Sequence, residues 1–316
     1  WLLRLRVPML FRWIGEFAGG KAGPMSVVSG SGACRMTLGT LASRYGYELV
    51  PPSSEGVTVT SLADEVDSVI PGSLYVPAGS VNMERLEHAA MRGAYAALVP
   101  QALRGAVDRL SMPLVLGECD DARLAAMAQE LTGAKTLAMF ACYGEEAGRV
   151  QRQVEQLSEF LHVLGNPVGV ISAADTQSLE QYIGLHYPLG VLDVQRVLSV
   201  CAEDGANAVI VSMDERTLRR GALHAVDLDV FGVDDVPDSR LREACATACD
   251  RYGCVMDERG KAVGRPAESD ALARQADEGE HGGSWEVLSL AIAMAMAAGV
   301  RRANIRSALR VSRELS

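Results

Sequence analysis

Lys135–Gly148, KTLAMFACYGEEAG, is the stretch that decides the fold. Its first half, Thr136–Cys142, is short and almost wholly apolar, the composition of a buried strand. Gly144 breaks the run, and the periodicity beyond it predicts a helix reaching about Leu164. A second apolar run, Pro167–Ser172 (PVGVIS), predicts another strand. Strand, tight turn, helix and strand make a βαβ unit, and in many proteins the first turn cradles a nucleotide phosphate. Such a turn needs small residues so that backbone N–H groups face the phosphate. It also needs a lysine to neutralise charge and a hydroxyl to reach Mg²⁺. Here the turn reads Ala141-Cys142-Tyr143-Gly144-Glu145-Glu146-Ala147, with carboxylates where the lysine and hydroxyl would stand. The architecture is that of a phosphate loop; the charge has the opposite sign.

Outward from this unit the pattern stays α/β. Thr37–Tyr45 predicts a helix capped by Thr37, and Val57–Thr60 and Ser73–Val76 predict strands. Asn82–Arg92 predicts a helix stopped by Gly93. Ala94–Val99 and Pro113–Leu116 predict strands, and Asp121–Leu131 a helix opened by Asp120 or Asp121. Downstream, strands alternate with helices as far as Phe231, the mark of a parallel sheet. The expectation is an α/β chain in three parts. Residues 1–35 are an extension, irregular or a surface helix; 36–132 are a small α/β domain; 133–316 are a contracted, mainly parallel, P-loop-like central domain.

Composition narrows the function. A chain of 316 residues has room for two domains, and its net charge of −10 argues against wide nucleic-acid contact. Lysine occurs only at Lys21, Lys135 and Lys261. Seven cysteines without regular spacing suit reduced thiols in the cytoplasm. Cys245 and Cys249 share a helix face, with Cys254 close in sequence. No second pair or nearby His completes a tetrahedral set, so structural thiols and no metal are expected. The opening WLLRLRVPMLFRWIGEF is too short, and too interrupted by Arg4, Arg6, Pro8 and Arg12, to span a membrane. It lacks a signal-peptide cleavage pattern and shares no pattern with the domain after it. Residues 1–24 are therefore expected to be dispensable upstream sequence rather than a membrane-surface anchor, with Met25 or Met36 as natural starts.

Several stretches, in order, carry a resemblance. Val69-Ile70-Pro71-Gly72-Ser73-Leu74-Tyr75-Val76 resembles the V-x-P-G-x-L-F-V signature of the Mur ligases, and Ala89–Ala94 their A-x-x-R-G-A element. Pro188 with Leu192–Leu198 resembles P-x-x-L-E-L-Q-R-L-L. Gly205–Val211 resembles the strand leading to E-V-S-S-H-A-L, Asp227–Phe231 the next strand, and Ser284–Leu309 the helix pair closing the central domain. The tripeptide-synthetase branch, which adds the third residue of the peptidoglycan stem peptide, is the nearest.

The resemblance implies a site, and this chain departs from it. The family's phosphate-binding lysine falls on Glu145 and the next threonine on Glu146, and a carboxylate facing a phosphate is repelled. Neither Lys135 nor Lys261 replaces the lysine by position. The Mg²⁺ glutamate falls on Ser212 and the functional histidine on Arg216, while Leu218 and Gly221 are kept. The family's run near ATP shrinks to Gly232-Val233-Asp234-Asp235, and no lysine stands soon after it that could be carbamoylated. The uridine-contacting D-S-R triplet falls on Glu65-Val66-Asp67, ahead of a shortened loop that contains Ser80. The family's third domain is not expected within the 316 residues.

The resemblance therefore implies a degenerate phosphate loop at Ala141, Cys142, Tyr143, Gly144 and Glu145, and a degenerate uridine site at Glu65, Val66, Asp67 and Ser80. It leaves three functions open: a pseudoenzyme of cell-wall synthesis acting by binding, a divergent ligase using ATP and Mg²⁺ with a partner's help, or a UDP-sugar binder. No catalytic residue, metal or cofactor is expected in the first. Its partner would be a second copy or a cell-wall synthesis protein, on a face left uncovered near Gly144, Pro188 and Gly232. The blander expectations are solvated acidic pairs at Asp64/Glu65 and Asp234/Asp235, a core His162, and a His186 facing a remnant cleft. An exposed linker at Asp270–Gly283 and a core helix at Trp285–Ala298 bearing Met294 and Met296 complete them.

Overall fold

The computed structural model describes residues 36–132, 137–234, 236–277 and 285–315. The expected N-terminal extension, Lys135, Asp235 and the stretch 278–284 lie outside the described residues. Three short caps build the first lobe. Thr37 Oγ1 accepts from the Thr40 N–H at 3.2 Å and opens α1, Leu38–Tyr45. Asn82 Oδ1 accepts from Arg85 N–H at 2.9 Å ahead of α2, Met83–Met91. Asp120 Oδ1 accepts from Arg123 N–H at 2.8 Å ahead of α3, Asp121–Thr132. Each side-chain oxygen satisfies an N–H that the first helical turn leaves unpaired.

The strands of this lobe are β1 Met36–Thr37, β2 Glu48–Val50, β3 Thr58–Val59, β4 Ser61–Ala63, β5 Ser73–Tyr75, β6 Ala96–Val99 and β7 Leu114–Leu116. Five of them form a sheet in the order β2-β7-β6-β5-β4, parallel except at the β2 edge. β1 and β3 form a separate antiparallel pair. The single strand predicted over Val57–Thr60 is thus two strands in two sheets, with Thr60 N–H bonded to Gly72 O at the crossing.

The second lobe is built on β8, Ala138–Tyr143. Around it stand β9 Val168–Ile171, β10 Gln177–Ser178, β11 Gln181–Tyr182, β12 Ala208–Met213, β13 Val230–Val233 and β14 Lys261–Val263, in the order β11-β10-β9-β12-β8-β13-β14. β8, β9, β12, β13 and β14 are parallel; the β10–β11 hairpin is antiparallel. β8 lies in the middle, where Ala141 is registered with Val211 on one side and Phe231 on the other. Strands covered on both faces read as continuous apolar runs, which is why β8, β9 and β12 were legible and the polar hairpin was not.

Helices cover both faces of this sheet. α4 Ala147–Val163, α7 Ala267–Asp277, α8 Trp285–Ala297 and α9 Arg302–Leu315 pack on one side; α5 Val191–Glu203 and α6 Leu241–Tyr252 pack on the other. Fully buried side chains such as Leu157, Val194, Ile210 and Leu290 each contribute about 1.5–3 kcal/mol. The expected linker at Asp270–Gly283 is corrected over its described part. Residues 267–277 are helical, Leu272 and Ala273 are buried, and Ser289 Oγ donates to Asp270 Oδ1 at 2.6 Å. His162, expected in the core, is exposed on α4. The lobes meet where α3 lies on α5, with Leu124, Ala125 and Ala128 sharing a cluster with Val191 and Leu192. Among the described residues no helix is long and apolar enough to cross a membrane.

Candidate functional site

β8 ends at Tyr143 and α4 begins at Ala147, so only Gly144, Glu145 and Glu146 join them. A loop that encircles a phosphate spans more residues between its first glycine and its lysine. Ala141, Cys142 and Tyr143, expected in the loop, are instead strand residues. Ala141 and Cys142 are fully buried and paired to both neighbouring strands, so their side chains belong to the core. Burial pushes the Cys142 thiol up to about 12. Glu145 and Glu146 are exposed. Glu146 is the N-cap of α4 and makes no side-chain capping bond there. Its charge answers the positive end of the helix dipole, which would otherwise attract an anion.

In the first turn of α4 stands a cation that is not a lysine. Arg149 Nε lies 2.5 Å from Asp234 Oδ2, and its Nη2 lies 3.1 Å from Glu286 Oε2. Arg265, just past β14, reaches the same two carboxylates, Asp234 Oδ1 at 2.9 Å and Glu286 Oε1 at 3.5 Å. Trp285 stacks beneath this group, with Arg265 at 5.5 Å and Arg274 at 4.2 Å from its ring centre. Two arginines and two acids therefore tie together the start of α4, the ends of β13 and β14 and the start of α8. This is the carboxyl edge of the sheet, where open α/β folds place their ligands. The Asp234 side chain is only 3% exposed, which corrects the expectation of a solvated loop acid. Gly148-Arg149, a glycine and a cation in the first helical turn, was the signal available in the sequence.

Of the three positions expected on a bare face, Gly232 is covered. A Cβ on Gly232 would fall on Met294 Sδ and lie 2.9 Å from Met294 Cε, so α8 sits directly on β13 there. Gly144 is half-buried and only Pro188 is exposed. Ser212, which the resemblance placed at a Mg²⁺ glutamate of the Mur ligases, is fully buried and donates to Asp214 Oδ2 at 2.6 Å. Asp214 also accepts from the Arg216 N–H at 2.8 Å and from the Thr217 hydroxyl at 2.9 Å, and Thr217 Oγ1 in turn accepts from the Ala173 N–H at 3.0 Å. Arg216 and His186 are exposed.

The expected uridine residues are engaged within their own lobe. Glu65 Oε2 accepts from Arg85 Nη2 at 3.0 Å, and Arg92 Nη2 donates to the Asp67 carbonyl at 2.7 Å. Val66 packs against the apolar cluster of that lobe, and Ser80 is exposed. None of the four lines the cavity of about 230 Å³ between the lobes; Asp64, one residue earlier, does. Asp64 is half-buried, which corrects its reading as a solvated acid. Burial holds its carboxyl above the usual range, with Asp193 and Glu65 adding to the effect.

Of the three clustered cysteines, Cys249 is only partly buried. Cys245 and Cys254 are buried, and Cys245 Sγ lies 3.9 Å from Cys249 Sγ and 3.8 Å from Met256 Sδ. Among the described residues no three His, Cys, Asp or Glu side chains are placed to hold a metal ion.

No protein-family model matches the sequence, and no curated protein matches it. Solved structures do resemble the fold. A crystal structure of MurF from Acinetobacter baumannii superposes with a TM-score of 0.52 at 12% identity, covering 87% of this chain and 68% of that one. A second crystal structure of that MurF gives 0.50 at 12%, over 87% and 67%. A UDP-N-acetylmuramoylalanyl-D-glutamyl-2,6-diaminopimelate–D-alanyl-D-alanyl ligase from the same organism gives 0.50 at 11%, over 87% and 68%. At such identity the likeness is one of fold: this chain has the α/β architecture of the Mur ligases across most of its length.

Proposed function

We propose that this chain is a Mur-ligase-like protein of peptidoglycan synthesis, nearest the tripeptide synthetases, that acts in the cytoplasm by binding and not by ATP-driven ligation. One observation carries the reading. The start of α4, where a phosphate would seat, is a three-residue connection bearing Glu145 and Glu146, and the cation behind it is already paired with Asp234 and Glu286. A triphosphate would have to displace two carboxylates from Arg149 while facing two more. Ser212 offers Mg²⁺ no carboxylate. No cofactor is required, and the partner is a second copy or another cell-wall synthesis protein.

Titrating Mg·ATP by calorimetry is expected to give no heat at millimolar nucleotide. A dissociation constant in the micromolar range overturns the reading. Arg149 itself favours a second reading, a divergent ligase in which ATP and Mg²⁺ bind only once a partner has drawn Asp234 away. That reading predicts nucleotide binding by the complex and none by the chain alone.

A further inference from the structure

Three thiols and a thioether meet where α6 ends. Leu241, Cys245, Ala248 and Tyr252 form the buried stripe of α6, and Cys249 stands one turn beyond Cys245 at the margin of that stripe. Gly253, at φ +81°, stops the helix and donates its N–H to the Cys249 carbonyl at 2.7 Å. The chain then turns back, with Val255 N–H bonded to Val226 O at 3.0 Å, and brings Cys254 within reach of Cys249. Cys245 Sγ lies 3.9 Å from Cys249 Sγ and 3.8 Å from Met256 Sδ. Cys245 and Cys254 are buried, so Cys249 is the thiol of the three that meets solvent.

Packing accounts for buried thiols, but not for a half-open one served by two thiol donors. The thiolate is the nucleophilic form of cysteine. Hydrogen bonds from Cys245 and from Cys254 hold the Cys249 thiol below the ordinary range, against the opposing effect of burial. Cys119 is also half-buried but stands apart from the other thiols, and burial pushes it up to about 11. Residues four apart on a helix lie about 6 Å apart along its axis, within the roughly 4.4–6.8 Å between the Cα atoms of a disulfide. We propose that Cys249 is a redox modification site, where a hydroperoxide oxidises the sulfur and Cys245 then closes a disulfide on it. In the first step the Cys249 sulfur attacks a peroxide oxygen; an S–O bond forms, the O–O bond breaks, and hydroxide leaves to take up a proton. In the second the Cys245 sulfur attacks the Cys249 sulfur; the S–S bond forms, the S–O bond breaks, and water leaves with the Cys245 proton. Two thiols and one hydrogen peroxide thus give one disulfide and two waters. α6 lies on the sheet face opposite to α4, so the inference holds whether or not nucleotide binds at the start of α4.

The test treats the reduced full chain with equimolar hydrogen peroxide, alkylates the remaining thiols and maps tryptic peptides by mass. Cleavage after Arg242, Arg251 and Arg259 places Cys245 and Cys249 in one peptide and Cys254 in the next. The first peptide should appear unalkylated and two hydrogens lighter than its reduced form, at a rate at least tenfold that of Cys119 oxidation. Dithiothreitol should restore both thiols. Dimedone added with the peroxide should label Cys249 and lower the yield of the bridge. Cys245→Ala should accumulate the dimedone adduct at Cys249, and Cys249→Ser should remove both adduct and bridge. Oxidation of Cys249 no faster than that of Cys119, or a bridge joining the two peptides, overturns the inference. If Cys245→Ala fails to fold, peptide mapping and dimedone trapping on the parent chain still decide it.

Discussion

Asp64 and Asp234 each come directly after the last residue of a strand, and the two have opposite fates. Asp234 is enclosed by Arg149 and Arg265, so its charge is compensated where it is buried. Asp234→Asn leaves two guanidinium groups short of a partner. It is expected to cost stability near the lower end of roughly 3–5 kcal/mol, because Glu286 still holds both arginines. Glu268→Gln breaks the more exposed pair with Arg302 and is expected to cost under about 1 kcal/mol. Urea unfolding of the two variants checks the contrast, and equal losses would refute it. Asp64 has carboxylates around it, Asp193 and Glu65, with Arg196 the one cation among its main influences. A carboxyl raised in the folded state binds its proton more tightly there than in the unfolded chain. Its contribution to stability is therefore full below the unfolded value, near 3.8, and is lost as pH rises through the folded one. Asp64→Asn removes that loss. The variant is expected to melt above the parent at pH 7 and level with it near pH 3, and a lower melting point at pH 7 would contradict this account.

Among the elements, β8, β13 and α8 are interlocked through small residues. Gly232 lets Met294 rest on the sheet, and Cys142 Sγ lies 4.0 Å from the same sulfur. Met294 is 1% exposed and has no space to retreat, so Gly232→Ala is expected to cost about 1–3 kcal/mol by overpacking. Met294→Ala in the same chain should recover part of that loss. Thermal melts of the single and double variants decide it, and strict additivity would rule out the contact. The elements also show where pattern reading works. α1, α2 and α3 were legible because Thr37, Asn82 and Asp120 are capping residues ahead of periodic helices. α7 was not, because its buried residues are mostly alanine and serine, which signal a helix face weakly. β14 has only three residues, Lys261–Val263, too few to show a period.

At the scale of the whole molecule, the α3–α5 seam joins the sheets and sets the width of the cavity beside it. Leu192 is 5% exposed and meets Leu124, Ala125 and Ala128 there. Leu192→Asp buries an unpaired charge at the seam while leaving each sheet's own hydrogen bonds intact. It is expected to split one calorimetric transition into two, as the lobes lose their coupling. A single peak merely shifted down in temperature would show that the lobes unfold as a unit through other contacts. The same seam keeps Asp64 and Arg219, from different lobes, on one cavity wall.

The sequence by itself determined the α/β class, the βαβ unit at β8, most helix ends and the acidic turn at Glu145 and Glu146. These are local properties, written in apolar period, capping residues and charge sign. Tertiary structure alone decided what surrounds that turn. Arg149, Asp234, Arg265 and Glu286 are spread over almost half the chain and meet only because parallel strands deliver their ends to one edge. Gly232 was expected on an open face, but α8, some sixty residues later, covers it. Glu65 and Asp67 turned out to be bound to Arg85 and Arg92, and Asp64 to face the cavity. A three-residue choice of that kind depends on how the chain leaves β4, which no period in the sequence records.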